Sequence, residues 1–239
     1  MSPQSVHQFA EKVSLISDAS SPIGRAAAMQ LALQGSFVIG LFPSGGEAAV
    51  NELVELGTLA HGFAVDASGP EGSKAAADEV ERLFGRLDLL VNCLKHRPES
   101  SFEAMSEPDF AKTVSGNLSS AYFLTHAVLG LMKGRPKPKI VNVISAFSGH
   151  REPLFDAMQS AIAGLTSSLA NELPKNFRVN CVEVPGGRFL QKNTEQLLRD
   201  PDAVAPDDAA RVILFLLSSE SISLNGQVLR LGQVNGRCN

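Results

Sequence analysis

The chain lacks the features that mark several large classes of protein. No stretch approaches the about 18 consecutive apolar residues of a membrane span, and the N-terminal MSPQSVHQFAEK has no basic start leading into an apolar core. Neither a transmembrane helix nor a secretory leader is expected. Basic clusters are scarce in a chain of net charge -4, and the one concentration, Lys133 to Lys139, is broken by Pro136 and Pro138. It reads as a solvated turn, not a nucleic-acid patch. Cysteine is scarce too: Cys93, Cys181 and Cys238 stand in no metal-ligand spacing with another cysteine or a histidine, and read as reduced thiols of a cytoplasmic protein. Tyr122 is the single tyrosine.

Glycine is missing where the opening of the chain most needs it. Residues Val13 to Ala28, VSLISDASSPIGRAAA, run from a short apolar stretch through a polar turn into an Ala-rich helix. That order opens a mononucleotide-binding unit, in which three glycines let the chain bend and let backbone amides reach a phosphate at the helix N-terminus. Asp18, Pro22 and Gly24 stand in the three places, so one glycine survives. A carboxylate about 4 to 5 Å from a phosphate repels it by roughly 3 to 4 kcal/mol at an effective dielectric near 20, more than a hundredfold in affinity. Pro22 deletes a backbone donor, although proline is well tolerated in a first helical turn. The expectation is a helix that forms, with Asp18 at its positive end, and an anion site that does not.

At 239 residues and 44% apolar composition the chain is long enough for one good-sized core, expected as a single domain over 1–239. Strand-length apolar runs at 13–17, 36–41, 60–65, 87–92, 139–144, 178–183 and 227–231 alternate with helical patterns at 22–34, 46–56, 71–84, 107–133, 154–172 and 207–218. Runs such as IVNVI (140–144) suit strands buried on both faces, so the alternation predicts an α/β doubly wound parallel sheet of about seven strands with helices on both faces. The longest irregular stretch, Pro185 to Pro206, lies beyond a strand's C-terminal end, where such sheets bind ligands.

Several segments together resemble the short-chain dehydrogenase/reductase family, with its Rossmann-like fold, and particularly its ketoacyl-reductase-like members. They are the opening turn, GFAVDAS with Asp66, FGRLDLLVN ending at Asn92, FAKTVSGNLSSAYFLTHAVLGLM around Asn117, IVNVISAFSG around Ser145, AIAGLTSSLANEL, VNCVEVPGG and LNGQVLRLG. The resemblance covers almost the whole chain. It implies an Asn-Ser-Tyr-Lys set: the tyrosine is general acid or base, the lysine four residues later lowers its pKa and holds the ribose, and the serine positions the carbonyl. Asn117 and Ser145 take the first two places. Aligning AIAGLTSSLANEL without a gap puts Phe155 at the tyrosine and Gln159 at the lysine, whereas counting forward from Ser145 puts Met158 and Ile162 there. Neither register restores the pair. A phenyl ring transfers no proton, and a positioned general acid is worth about 10² to 10⁴ in rate. Tyr122, on the Asn117 helix, is read as core.

The departures from the family pattern extend to the cofactor's surroundings. Cys93-Leu94-Lys95 puts bulky side chains beside the adenosine, Leu41-Phe42-Pro43 offers neither an acid nor a base to the ribose, and the Val179 to Gly186 segment is one residue longer than the family pattern. Gly24 serves helix-to-strand packing, Asp66 caps a turn as readily as it binds adenine, and Ser145 without a base reads as a strand-end serine. Lys95, His96, His126 and His150 with Asp156 share no recognisable spacing.

The combined expectation is a non-catalytic pseudoenzyme subunit. It has no catalytic residues beyond vestigial Asn117 and Ser145, no metal, and no cofactor of its own, because Asp18, Pro22 and Lys95 block the vestigial Gly24, Asp66 and Asn92. By the resemblance, its partner is an active short-chain dehydrogenase subunit carrying NAD(P), of the kind acting on acyl-CoA or carrier-bound β-hydroxy thioesters in a heterotetramer. Helices 107–133 and 154–172 build the interface, with that partner or with itself. On the second, an apolar stripe (Phe155, Met158, Ile162, Leu165, Leu169) runs beside a line of small residues (Ala157, Ala161, Gly164, Ser168). The alternatives are an active NAD(P)-dependent oxidoreductase with an atypical site, distinguished by a cofactor titration, and a stand-alone ligand-binding or regulatory protein. No nucleic acid or membrane is expected as a partner.

Overall fold

The alternating apolar runs become one sheet in the computed structural model, which describes residues 8–43, 54, 60–93, 101–145, 153–185 and 204–232. Its strands are β1 (Val13–Ile16), β2 (Phe37–Phe42), β3 (Ala60–Ala64), β4 (Leu89–Asn92), β5 (Lys139–Ser145), β6 (Arg178–Val184) and β7 (Val228–Arg230). All pair in parallel, in the order β3-β2-β1-β4-β5-β6-β7. The strand order reverses between β1 and β4, and their C-terminal ends flank the crevice where doubly wound sheets bind ligands.

Six helices flank the sheet among the described residues: α1 (Pro22–Leu33), α2 (Pro70–Phe84), α3 (Glu107–Val114), α4 (Ser120–Met132), α5 (Pro153–Glu172) and α6 (Pro206–Leu217). On one face Ile23, Ala27 and Leu31 of α1 and Ile213, Leu214 and Leu217 of α6 pack against Ile16, Val38, Phe42 and Val91. On the other, Ala76 and Val80 of α2 and Leu124, Val128 and Met132 of α4 cover Leu15, Ile39, Leu90 and Ile140. The expected helix 46–56 lies outside the described residues apart from Val54, as does most of the stretch from Pro185 to Pro206.

The helical pattern at 107–133 becomes a continuous helical run over 107–132 whose repeat is changed in the middle. Between α3 and α4 the chain makes a π-helical turn, Ser115–Ser119, holding Asn117. A π turn inserts one residue into the helical repeat, rotating the residues beyond it by about 100°. That corrects the reading of Tyr122 as core: it is 49% exposed and stacks on His126 at 6.1 Å, while Ala121, Leu124, Thr125 and Val128 face inward.

The basic stretch 133–139 is also less solvated than its composition suggests. Arg135 Nε donates to Asp88 Oδ1 at 2.9 Å, and Lys139 is 2% exposed. Its amine donates to the carbonyl of Leu216 in the last turn of α6 and, just beyond that helix, to the carbonyl of Ser218 and to Ser221 Oγ. Among the described residues no helix is long and apolar enough to cross a membrane, and no cluster of His, Cys, Asp and Glu is arranged to hold a metal ion.

Candidate functional site

The opening turn satisfies itself. Ser21 caps α1, its Oγ accepting from the Gly24 amide at 3.1 Å and donating to the Asp18 carbonyl at 2.9 Å, and Pro22 occupies the first helical position. A Cβ built on Gly24 would lie 1.9 Å from that carbonyl, so only glycine lets α1 close on the end of β1. The Asp18 carboxylate folds back into the turn. Its Oδ1 accepts from Ser20 N at 3.1 Å, Ser20 Oγ at 2.5 Å and Ser21 N at 3.2 Å. Three neutral donors orient this charge, and two of them are backbone amides of the turn.

Ser17, just past β1, ties that end to β4: its Oγ accepts from the Cys93 amide at 2.8 Å. Beside it runs a polar spine that sequence reasoning missed. Asn92 Nδ2 donates to Thr125 Oγ1 at 3.0 Å and to Asn142 Oδ1 at 2.9 Å, and Asn142 Nδ2 donates to Thr166 Oγ1 at 2.9 Å. The chain α4–β4–β5–α5 is thereby stitched together under the crevice. The available signal was an asparagine inside each of two apolar strands, LLVN and KIVNVIS, since a buried amide needs designed partners.

At the end of β5, Ser145 meets α5. Gln159 Oε1 accepts from the Ser145 amide at 3.1 Å, and Phe155, one turn earlier, is buried. The inward face of α5 is Phe155, Gln159, Ile162 and Thr166; Met158, Leu165 and Leu169 of the expected stripe are half-buried, and Ala157, Gly164 and Ser168 are exposed. Asn117 is buried in the π turn, its Nδ2 donating to the Thr113 carbonyl at 2.8 Å. Ser145, Asp156, Gln159 and Ser160 share a cavity of about 300 Å³ with Glu183 and Arg230.

The other sequence candidates fall apart in space. Asp66 Oδ1 accepts from Ser68 N at 3.0 Å, shaping the turn before α2. His126 stands on the outer face of α4 and is not brought to Ser145. Lys95, His96, His150 and Gly186 lie outside the described residues. Phe42, at the end of β2, is buried in the core beneath α1. Cys93 and Cys181 are buried and form no disulfide, and burial with the nearby Glu183 charge pushes the Cys181 thiol up to about 12, leaving it unreactive.

Comparison with known proteins adds to this geometry. The family model described as short chain dehydrogenase matches residues 12–194. The (2S)-((R)-hydroxy(phenyl)methyl)succinyl-CoA dehydrogenase subunit BbsD of Thauera aromatica is 30% identical over 236 residues, spanning 91% of this chain and 94% of that protein. The 3-oxoacyl-(acyl-carrier-protein) reductase FabG of Aquifex aeolicus is 31% identical over 241 residues, spanning 94% and 96%. A short chain dehydrogenase from Burkholderia cenocepacia, solved in complex with NADP, matches with a TM-score of 0.81 at 25% identity, over 95% of this chain and 98% of that one.

Two expectations are overturned by these likenesses. The relatives are named as a reductase and a dehydrogenase subunit, against the non-catalytic reading, and a chain of this fold holds NADP, against the absence of a cofactor. In the structure the Asp18 carboxylate is turned back onto Ser20 and Ser21, which orients its charge without cancelling it, and the Phe42 side chain packs inward.

Proposed function

Because the chain belongs to the short chain dehydrogenase family, we propose that it is an NAD(P)-dependent oxidoreductase with an atypical site, interconverting a carbonyl compound and its secondary alcohol. The observation that carries this reading is a pair of buried polar atoms at the ends of β4 and β5. Asn92 Oδ1 and Gln159 Nε2 have no hydrogen-bond partner among the described residues. An unmade buried hydrogen bond costs about 1 to 3 kcal/mol, which a bound ligand removes.

The opening turn keeps one donor for a dinucleotide phosphate. The Ile23 amide, one residue beyond Pro22, is an orphan donor of the first turn of α1, suited to a phosphate oxygen. When bound, the nicotinamide supplies or accepts a hydride. Ser145 offers a hydroxyl to a carbonyl oxygen, and Gln159 fixes the Ser145 backbone. Acyl thioesters are the substrate class to try first, by analogy with relatives named for 3-oxoacyl and CoA-linked substrates. Calorimetric titration with NADH and NADPH is expected to give a micromolar dissociation constant. Silence at millimolar dinucleotide would overturn the reading.

The chain is further proposed to associate, with a second copy or another member of the family, across α3–α4 and α5. Phe110 and Tyr122 are 51% and 49% exposed there, and a Cβ built on Gly164 meets nothing within 4 Å. Light scattering that shows only monomer, alone and with a candidate partner, would remove this part.

A further inference from the structure

An oxidoreductase of this kind must exchange a proton with its substrate oxygen, and Phe155 has none to give. Gln159 does not titrate, and Ser145 alone is too weak an acid. The cavity beside Ser145 nevertheless holds acids. Asp156 follows Phe155 in the first turn of α5, its Oδ1 shut off from bulk solvent, three residues before the Gln159 that grips the Ser145 amide. Residues three apart share a helix face, so Asp156 and Gln159 reach the same end of β5, and both line the cavity of about 300 Å³ with Ser145. The other charged groups on its wall are Glu183 from β6 and Arg230 from β7, paired with each other at 2.8 Å.

We propose that Asp156 is the proton-transfer residue of this site, acting on a carbonyl oxygen held between its carboxyl and the Ser145 hydroxyl. The inference rests on the oxidoreductase reading. In reduction the Asp156 carboxyl O–H breaks and its proton forms the new O–H of the product. The carbonyl carbon meanwhile gains the hydride carried by the reduced dinucleotide. Asp156 is left as a carboxylate and regains its proton from water; oxidation runs the same transfers backwards. A part-buried carboxyl lining the same cavity as a hydroxyl suits this role, because a general acid must lie within reach of the reacting oxygen.

The test uses the full chain and three variants, Asp156→Asn, Asp156→Glu and Asp156→Ala, with NADH or NADPH and a 3-oxoacyl thioester. Asp156→Asn and Asp156→Ala are expected to lower kcat by about 10² to 10⁴-fold, to erase the limb of the pH–rate profile set by the acid, and to leave the calorimetric dinucleotide affinity unchanged. Asp156→Glu should keep a measurable part of the rate and the limb. An Asn variant within threefold of the parent kcat, with the same pH profile, overturns the proposal and leaves the oxidoreductase reading standing. Loss of dinucleotide binding in both Asn and Glu variants makes Asp156 structural and also overturns it. Absence of binding and turnover in the parent chain defeats both readings, and the calorimetric trace of the parent tells that case from the others.

Discussion

The two rims of the sheet are built differently. Where the strands begin, the two buried charged residues are well partnered: Asp88 accepts from the Val13 amide at 3.1 Å and from Arg135 at 2.9 Å and has Lys12 at 3.6 Å, while Lys139 is surrounded by the acceptors at the end of α6. Where β4 and β5 end, the Asn92 and Gln159 amides each keep one atom unpaired among the described residues. A saturated rim holds the fold together; an unsaturated one trades stability for the capacity to bind. Substitutions at the first rim should therefore move stability and spare ligand affinity, and those at the second should do the reverse.

The largest effect is expected at Asp88. Asp88→Asn keeps the shape but strips the charge facing Arg135 and Lys12, which are themselves 28% and 37% exposed, so the loss is that of charged hydrogen bonds, up to about 3 kcal/mol. Urea denaturation should show that loss, while the dinucleotide affinity of the folded fraction stays at the parental value. A variant as stable as the parent would mean that the lower rim is not what secures the sheet.

Gly24→Val comes next, and it bears on both properties because α1 closes the upper rim. The added Cβ has 1.9 Å in which to sit against the Asp18 carbonyl, so α1 must back away, at about 1 to 3 kcal/mol. Dinucleotide affinity should fall along with the melting temperature. Affinity unchanged in a destabilised variant would place the phosphate away from the first turn of α1.

Lys139 sets a pH dependence of similar size. Burial, aided by the charges of Arg178 and Lys137, pushes its amine down from 10.5 to about 8. The folded chain thus releases this proton before the unfolded chain does. Between pH 8 and 10.5 the unfolded state binds more protons, so this group makes stability rise with pH across that window, and below pH 8 its burial is a standing cost. Relative to Lys139→Met, the parent should gain about 1 to 3 kcal/mol from about pH 7.5 to 10.5. A parallel pH dependence in the two proteins would show that the carbonyls of Leu216 and Ser218 fully offset the desolvation.

These contrasts also mark what could be read from residue order. The seven strands and the five described helical patterns were legible because apolar periodicity decides burial, and Gly24 was legible because its neighbours fix the turn. Tyr122 was not, since a π turn leaves no periodic signature and a single inserted residue redirects every side chain after it. At Asp18 the formal charge is visible in the sequence, but the three donors that turn its carboxylate back into the turn are a matter of conformation.

The smallest effect on stability, and the sharpest on assembly, is expected at Gly164. The residue sits on the outward face of α5, where a side chain meets no atom within 4 Å in the single chain. Gly164→Glu therefore adds nothing that the isolated fold must accommodate. Replacing a helical glycine by a better helix former is worth a few tenths of a kcal/mol in the variant's favour. If α5 packs against another subunit, the same side chain has nowhere to go, because helices approach closely only through small residues, and a carboxylate buried there without a partner is costly. The expected result is an unchanged or slightly raised urea midpoint with a native mass reduced to that of a smaller assembly. A variant that keeps the parental mass would show that this face of α5 is solvated in solution, and Phe110 and Tyr122 would then mark the surface to test instead.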